Sequence, residues 1–172
     1  KEDSGAVHGF LAGFGIGGEP DWEVNGIPST GADGDDFLGS DDEDGITFNG
    51  LVVPEQTASV DVEITNGDNS PGLLQAWIDF DGNGQFDDDE QIAENKVVVE
   101  GANSVSFDVP ADSVVGDTYA RFRYGYERDL GPTGRAMVGE VEDHLVNIRG
   151  TDPDARDDVF VVTQNSTNNE FL

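Results

Sequence analysis

From residue 46 onward the chain alternates apolar and polar positions with a period of two. Ile46-Thr47-Phe48 begins the pattern. Val60, Val62 and Ile64 then alternate with Asp61, Glu63 and Thr65; Leu74, Ala76, Ile78 and Phe80 share one parity. Val105, Phe107 and Val109 follow, and Ala120, Phe122 and Tyr124 alternate with Tyr119, Arg121 and Arg123. A two-residue period puts alternate side chains on opposite faces of a strand, so each run predicts a strand with one buried face. Gly, Pro, Asn or Asp bounds each run, and no segment carries a long 3.6-residue apolar period. The pattern predicts an all-β chain, an antiparallel β-sandwich of jelly-roll or Ig-like kind. The final run, Gly139 to Ile148, is out of phase: Val141 and Leu145 share one parity, Val146 and Ile148 the other. A bulge near Asp143 would reconcile them.

Either side of this region the texture changes. Residues 1–45 are Gly-rich and acidic, with Phe10, Leu11, Phe14 and Ile16 punctuated by glycine. They predict a long loop segment packed on the sandwich, with short strands at most. Trp22 is expected to pack back on the core. Residues 149–154 read as a turn-rich linker, and Val159-Phe160-Val161-Val162 lies in a fresh strand of a further module, 155–172. The sequence therefore reads as a piece of a longer polypeptide, with the sandwich proper at 46–148.

The sharpest motif joins two of these strands. Residues 79–90, Asp79-Phe-Asp81-Gly-Asn83-Gly84-Gln85-Phe-Asp87-Asp88-Asp89-Glu90, meet every required position of the D-x-[DN]-x-[DN]-G-x5-E calcium loop. Calcium takes roughly 6–8 oxygen ligands, which a short loop must wrap around the ion. Asp79, Asp81 and Asn83 offer side-chain oxygens, Gly84 the sharp turn and Gln85 its carbonyl. Asp87 ligates directly or through water, and Glu90 closes the shell. The flanks are strands rather than the helices of an EF-hand: Leu73 to Ile78 enters the loop, and Gln91-Ile92-Ala93 with Val97-Val98-Val99 leaves it. The alternative is a solvated acidic hairpin without an ion.

Charge favours the ion. The chain has 37 acidic residues against 8 Lys and Arg, a net charge of −29. No Lys or Arg lies between Lys1 and Lys96, an interval with 23 acids. Such a surface repels nucleic acid and anionic membranes, and no apolar run is long enough to span a bilayer. With no cysteine, neither disulfides nor thiolates can staple the fold. A second acidic cluster puts seven acids in twelve residues: Asp33, Asp35, Asp36, Asp41, Asp42, Glu43 and Asp44. It reads either as a looser calcium site, with Glu140, Glu142 and Asp143 as candidate partners, or as a solvated linker. Arg121 and Arg123 alternate away from the core, as Glu140 and Glu142 do, which predicts a cross-strand ion-pair ladder.

Catalytic constellations are missing from the sequence. No carboxylate pair is set apart among the 37 acids. His8 and His144 belong to no H-E-x-x-H motif, and no G-x-S-x-G is present. A non-enzymatic role is expected. Trp22, Trp77, Tyr119, Tyr124 and Tyr126 leave carbohydrate binding open, since sugar faces stack on aromatic rings.

Three segments in order resemble the GEVED domain. They are Asp41-Asp42-Glu43-Asp44-Gly45-Ile46-Thr47-Phe48; Ala76-Trp77-Ile78-Asp79-Phe80-Asp81-Gly82-Asn83-Gly84-Gln85-Phe86; and Ala120-Arg121-Phe122-Arg123 with Pro132-Thr133-Gly134 and Gly139-Glu140-Val141-Glu142-Asp143. His144 stands where the family usually continues with Tyr. Residues 155–162 resemble the opening of a cadherin-like or Ig-like tandem repeat. The resemblance implies a β-sandwich module of large secreted or cell-surface bacterial proteins, adhesive or matrix-associated. Its partners would be calcium, neighbouring β-modules of the chain, and surface or matrix glycans or proteins.

Overall fold

The computed structural model describes residues 6–9, 11–18 and 45–150. Two four-stranded sheets face each other. One runs in the order β10 (Gly139–Ile148), β8 (Gly116–Gly125), β5 (Gly72–Ile78) and β6 (Gln91–Val98), antiparallel throughout. The other centres on β4 (Thr57–Asn66). There β7 (Gly101–Asp108) takes one edge, while β2 (Phe14–Ile16) and β3 (Ile46–Phe48) lie end to end along the other. A small parallel pair, β1 (Ala6–Val7) with β9 (Gly134–Arg135), forms a separate two-stranded sheet. The chain changes sheet after β4, after β6 and after β7, which makes the molecule an all-β sandwich.

The period-two runs supply its core. Val60, Val62 and Ile64 with Val105 and Phe107 from one sheet meet Leu74, Ala76, Ile78, Ala120, Phe122 and Tyr124 from the other. Phe14 and Ile16 join them, so the Gly-rich N-terminal stretch contributes an edge strand and two core side chains.

The phase of β10 departs from expectation. It pairs with β8 residue for residue from Gly139↔Gly125 to Ile148↔Gly116, with no bulge. Val146 and Ile148 set the core-facing parity. Glu140 and Glu142 share it, opposite Tyr124 and Phe122. Val141 lies on the other face and is nevertheless buried, because that face is also covered: the 126–138 segment and the β1–β9 pair lie over it. Two glutamates at core parity made the strand look irregular. The register shifts fall instead between β5 and β6, around Ala76. There the buried Gln75 side chain exchanges hydrogen bonds with Asn95: Asn95 Oδ1 accepts from Gln75 Nε2 (2.8 Å), and Gln75 Oε1 accepts from the Asn95 backbone N–H (2.9 Å).

The same parity removes the expected arginine–glutamate ladder. Arg121 stands opposite Asp143 and Arg123 opposite Val141, on the face away from Glu140 and Glu142.

Candidate metal centre

The acidic loop leaves β5, which is hydrogen-bonded along both edges, to β6 and to β8. That strand fixes the first ligand. Asp79 directly follows Ile78; its backbone N–H donates to Tyr119 O (2.9 Å), and its carbonyl accepts from Thr118 Oγ1 (2.6 Å). The loop then folds over its own carboxylates. Asp79 Oδ1 accepts from the Asn83 N–H (3.1 Å) and Oδ2 from the Gly84 N–H (2.9 Å). Gly84 has φ of +79°, a left-handed conformation that costs other residues more than glycine. The sequence pattern asks for glycine at this turn. A short 3-10 turn, Asp88–Glu90, brings the chain back.

Glu90 closes the loop from the other end. Its Oε1 accepts from the N–H groups of Phe80 (2.7 Å) and Asp81 (3.1 Å), and its Oε2 from that of Asp87 (2.9 Å). Asp79 is 3% exposed and Glu90 5%. Asp79, Asp81 and Glu90 each place a carboxylate oxygen within 4.8 Å of the others, and this trio could hold a metal ion. Burial is the leading cause that raises the carboxyl pKa of both Asp79 and Glu90. Asp81 beside Asp79, and Asp79 beside Glu90, add to the rise, while the backbone N–H donors oppose it. Without a cation, two desolvated acids and a third acid crowd one point.

The remaining loop residues are engaged differently. Asn83 Nδ2 donates to Asp81 Oδ2 (2.9 Å) and Asp87 Oδ2 (3.1 Å), bridging two carboxylates. Asn83 Oδ1 accepts from the Gln85 N–H (2.7 Å). Asp33, Asp35, Asp41, Asp42 and Asp44 lie outside the described residues, as do Trp22 and 155–172.

Asp143 faces away from Glu140 and Glu142, and the acids of 33–44 expected to share a site with them lie outside the described residues. The Glu140 carboxylate accepts from the Ile16 N–H, tying β10 to β2 across the sandwich. Glu142 Oε2 contacts His144 Nε2 at 2.9 Å. On the opposite face Asp143 takes a two-pronged contact from Arg121, Nε to Oδ1 at 2.6 Å and Nη2 to Oδ2 at 2.5 Å. Gly139 opens the same strand with φ of +133°, and a Cβ there would lie 1.8 Å from Tyr124 O. The motif Gly139-Glu140-Val141-Glu142-Asp143 thus divides its work: a close backbone approach, a tie to the facing sheet, a buried valine, a histidine contact and an arginine pair.

Two residues that pack on the arginines of β8 were not legible as site residues. Phe86, from the loop, lies over the Arg121 guanidinium, 5.3 Å from ring centroid to Cζ. His8 holds Arg123: its Nε2 accepts from Arg123 Nε (3.0 Å), and its Nδ1 lies 3.3 Å from Val138 O. An apolar residue inside an acidic loop was the one available hint of the first. Of the candidate sugar-binding aromatics, Trp77 and Tyr124 are buried, and Tyr126 is 40% exposed.

No curated protein and no solved structure matches the chain. Residues 73–147, from β5 through the acidic loop to the last strand, match the GEVED domain family.

Proposed function

We propose that the loop 79–90 binds calcium and that the chain is a calcium-rigidified β-sandwich module of a large extracellular bacterial protein. Its work is structural display and adhesion rather than catalysis. One observation carries the reading: Asp79, Asp81 and Glu90 converge within 4.8 Å at the end of a strand paired on both edges. All three are hard oxygen donors, the ligand class of calcium, in a loop whose spacing suits a large, flexible coordination shell. The GEVED match over 73–147 supports the extracellular setting through the resemblance. Calorimetric titration of chelator-treated protein tests the site. Saturable binding of calcium, with millimolar magnesium unable to displace it, is expected; no heat of binding and no change in melting would refute it.

Calcium-dependent carbohydrate binding is the second reading. It draws on the stack of Tyr124, Phe14 and Tyr126, with successive centroids 4.5 Å apart, which ends on the exposed Tyr126 ring. A glycan array run with and without calcium separates the two. Strong binding to one glycan class, lost in Tyr126→Ala, would replace the structural role by a lectin-like one.

A further inference from the structure

The carbonyls of four successive residues, Gly131 to Gly134, are all captured by two buried arginines. Arg123 Nη1 donates to Gly131 O and to Thr133 O (2.9 Å), and Arg123 Nη2 to Gly134 O (3.0 Å). Arg121 Nη1 donates to Pro132 O (2.8 Å). Arg121 is 1% exposed and Arg123 is fully buried. Gly131, Thr133, Gly134 and Arg135 are exposed, so the segment is fixed through its backbone carbonyls. The Arg121 guanidinium is engaged along its edge by Asp143, at one Nη by Pro132 and over its face by Phe86 of the metal loop.

Phe86 sits between Gln85 and Asp87, within the span that must close when Asp79, Asp81 and Glu90 are drawn onto one cation. Its position over Arg121 depends on how tightly that span is held. A guanidinium whose planar fork is filled by Asp143 has little freedom to follow a displaced ring. Loosening the loop removes the cation–π contact, and with it the packing over the face of the guanidinium whose Nη1 donates to Pro132 O.

We propose that Phe86 and Arg121 couple occupancy of the metal loop to the order of the 131–138 segment, so that calcium rigidifies this exposed stretch as well as the loop itself. This rests on the calcium role proposed above. Phe86 is a positioning residue: it supplies no ligand and acts through Arg121.

Hydrogen exchange on the full chain tests the coupling, read at the amides of 131–138 with chelator and with saturating calcium. Calcium should slow exchange there about three- to tenfold, the range expected of a partly desolvated cation–π contact. Phe86→Leu keeps an apolar side chain in place but removes the ring face. It should lose the calcium-dependent slowing in 131–138, while Phe86→Tyr keeps it. By linkage, Phe86→Leu should weaken calcium binding by the same factor, far less than loss of a carboxylate ligand would. If the wild type binds no calcium, the reading of the loop itself fails. If it binds calcium with exchange in 131–138 unchanged, or if Phe86→Leu retains the slowing, the coupling fails alone.

Discussion

Replacing Glu90 by Gln should change the metal-free protein little and remove most of the stabilisation that calcium gives, and the difference is the sharpest check on the metal loop. Glu90 accepts three backbone hydrogen bonds, two at Oε1 and one at Oε2. A glutamine can keep its oxygen toward Phe80 and Asp81, but its amide N–H then faces the Asp87 N–H. One hydrogen bond is lost, at a cost of about 1–2 kcal/mol. Against this, the metal-free wild type carries a buried carboxylate beside Asp79, and neutralising it relieves both desolvation and repulsion. In chelator the two terms oppose each other, and the melting temperature should move by no more than about 2–3 °C. With calcium at about 100 times the wild-type Kd, mass action stabilises the wild type by about 2.7 kcal/mol. For a chain of this length that is about 5–10 °C. If the missing charge weakens binding about a hundredfold, the same calcium gives the variant only about 0.4 kcal/mol, near 1 °C. Scanning calorimetry of both proteins, in chelator and in calcium at matched ionic strength, reads all four values. A calcium shift of equal size in the two proteins would show that Glu90 is not a ligand.

Other perturbations probe the frame around the loop. Gly139→Ala puts a Cβ 1.8 Å from Tyr124 O at a left-handed φ; it should destabilise by about 3 kcal/mol or more in urea titration, and a loss below about 1 kcal/mol would contradict the close approach. Asp143→Asn removes the carboxylate charge that faces the buried Arg121, and the expected cost is about 3–5 kcal/mol, measured against an Arg121→Met, Asp143→Leu double variant that should recover much of it. His8 is held neutral: burial, and then the Arg123 charge, lower its pKa from 6.5 to about 3. Because the folded-state value is depressed, the stability His8 contributes is full above 6.5 and is lost as pH falls toward 3. Its ring NMR signals should stay flat from pH 8 to 5, and a midpoint near 6.5 would refute the contact with Arg123.

Much of the core was legible because its strands obey one rule. Val60, Val62 and Ile64 alternate with Asp61, Glu63 and Thr65 since one face of the strand meets the facing sheet and the other meets water or a polar layer. The metal loop was legible because ligand spacing is local in sequence. The last strand was not. Reading Val141 as core and Glu140 and Glu142 as solvent-facing assumes that one face of β10 is dry and the other wet. Here both faces are covered, so polarity no longer reports facing, and the register with β8 decides instead. The partners of Arg121 and Arg123 were equally hidden. Backbone carbonyls 8 to 11 residues away in sequence leave no trace in composition. Phe14 and Ile16 escaped for a different reason: three residues between glycines make too short a pattern to tell from loop.

The placement of the loop bears on what a cation would do there. Asp79 follows a strand hydrogen-bonded on both sides, its N–H and C=O are tied to Tyr119 and Thr118, and Glu90 is pinned by three backbone donors. Little backbone freedom is left to lose when these two ends grip an ion, so the entropic cost of binding is small. A sensor needs the reverse, an element that changes shape on binding. The same rigidity gathers three carboxylates at one point in a chain of net charge −29, where an added cation relieves repulsion already built into the fold. Both considerations favour a staple over a switch. They also locate the response: with the ligand ends already fixed, movement on binding falls to the middle of the loop, where Phe86 meets Arg121.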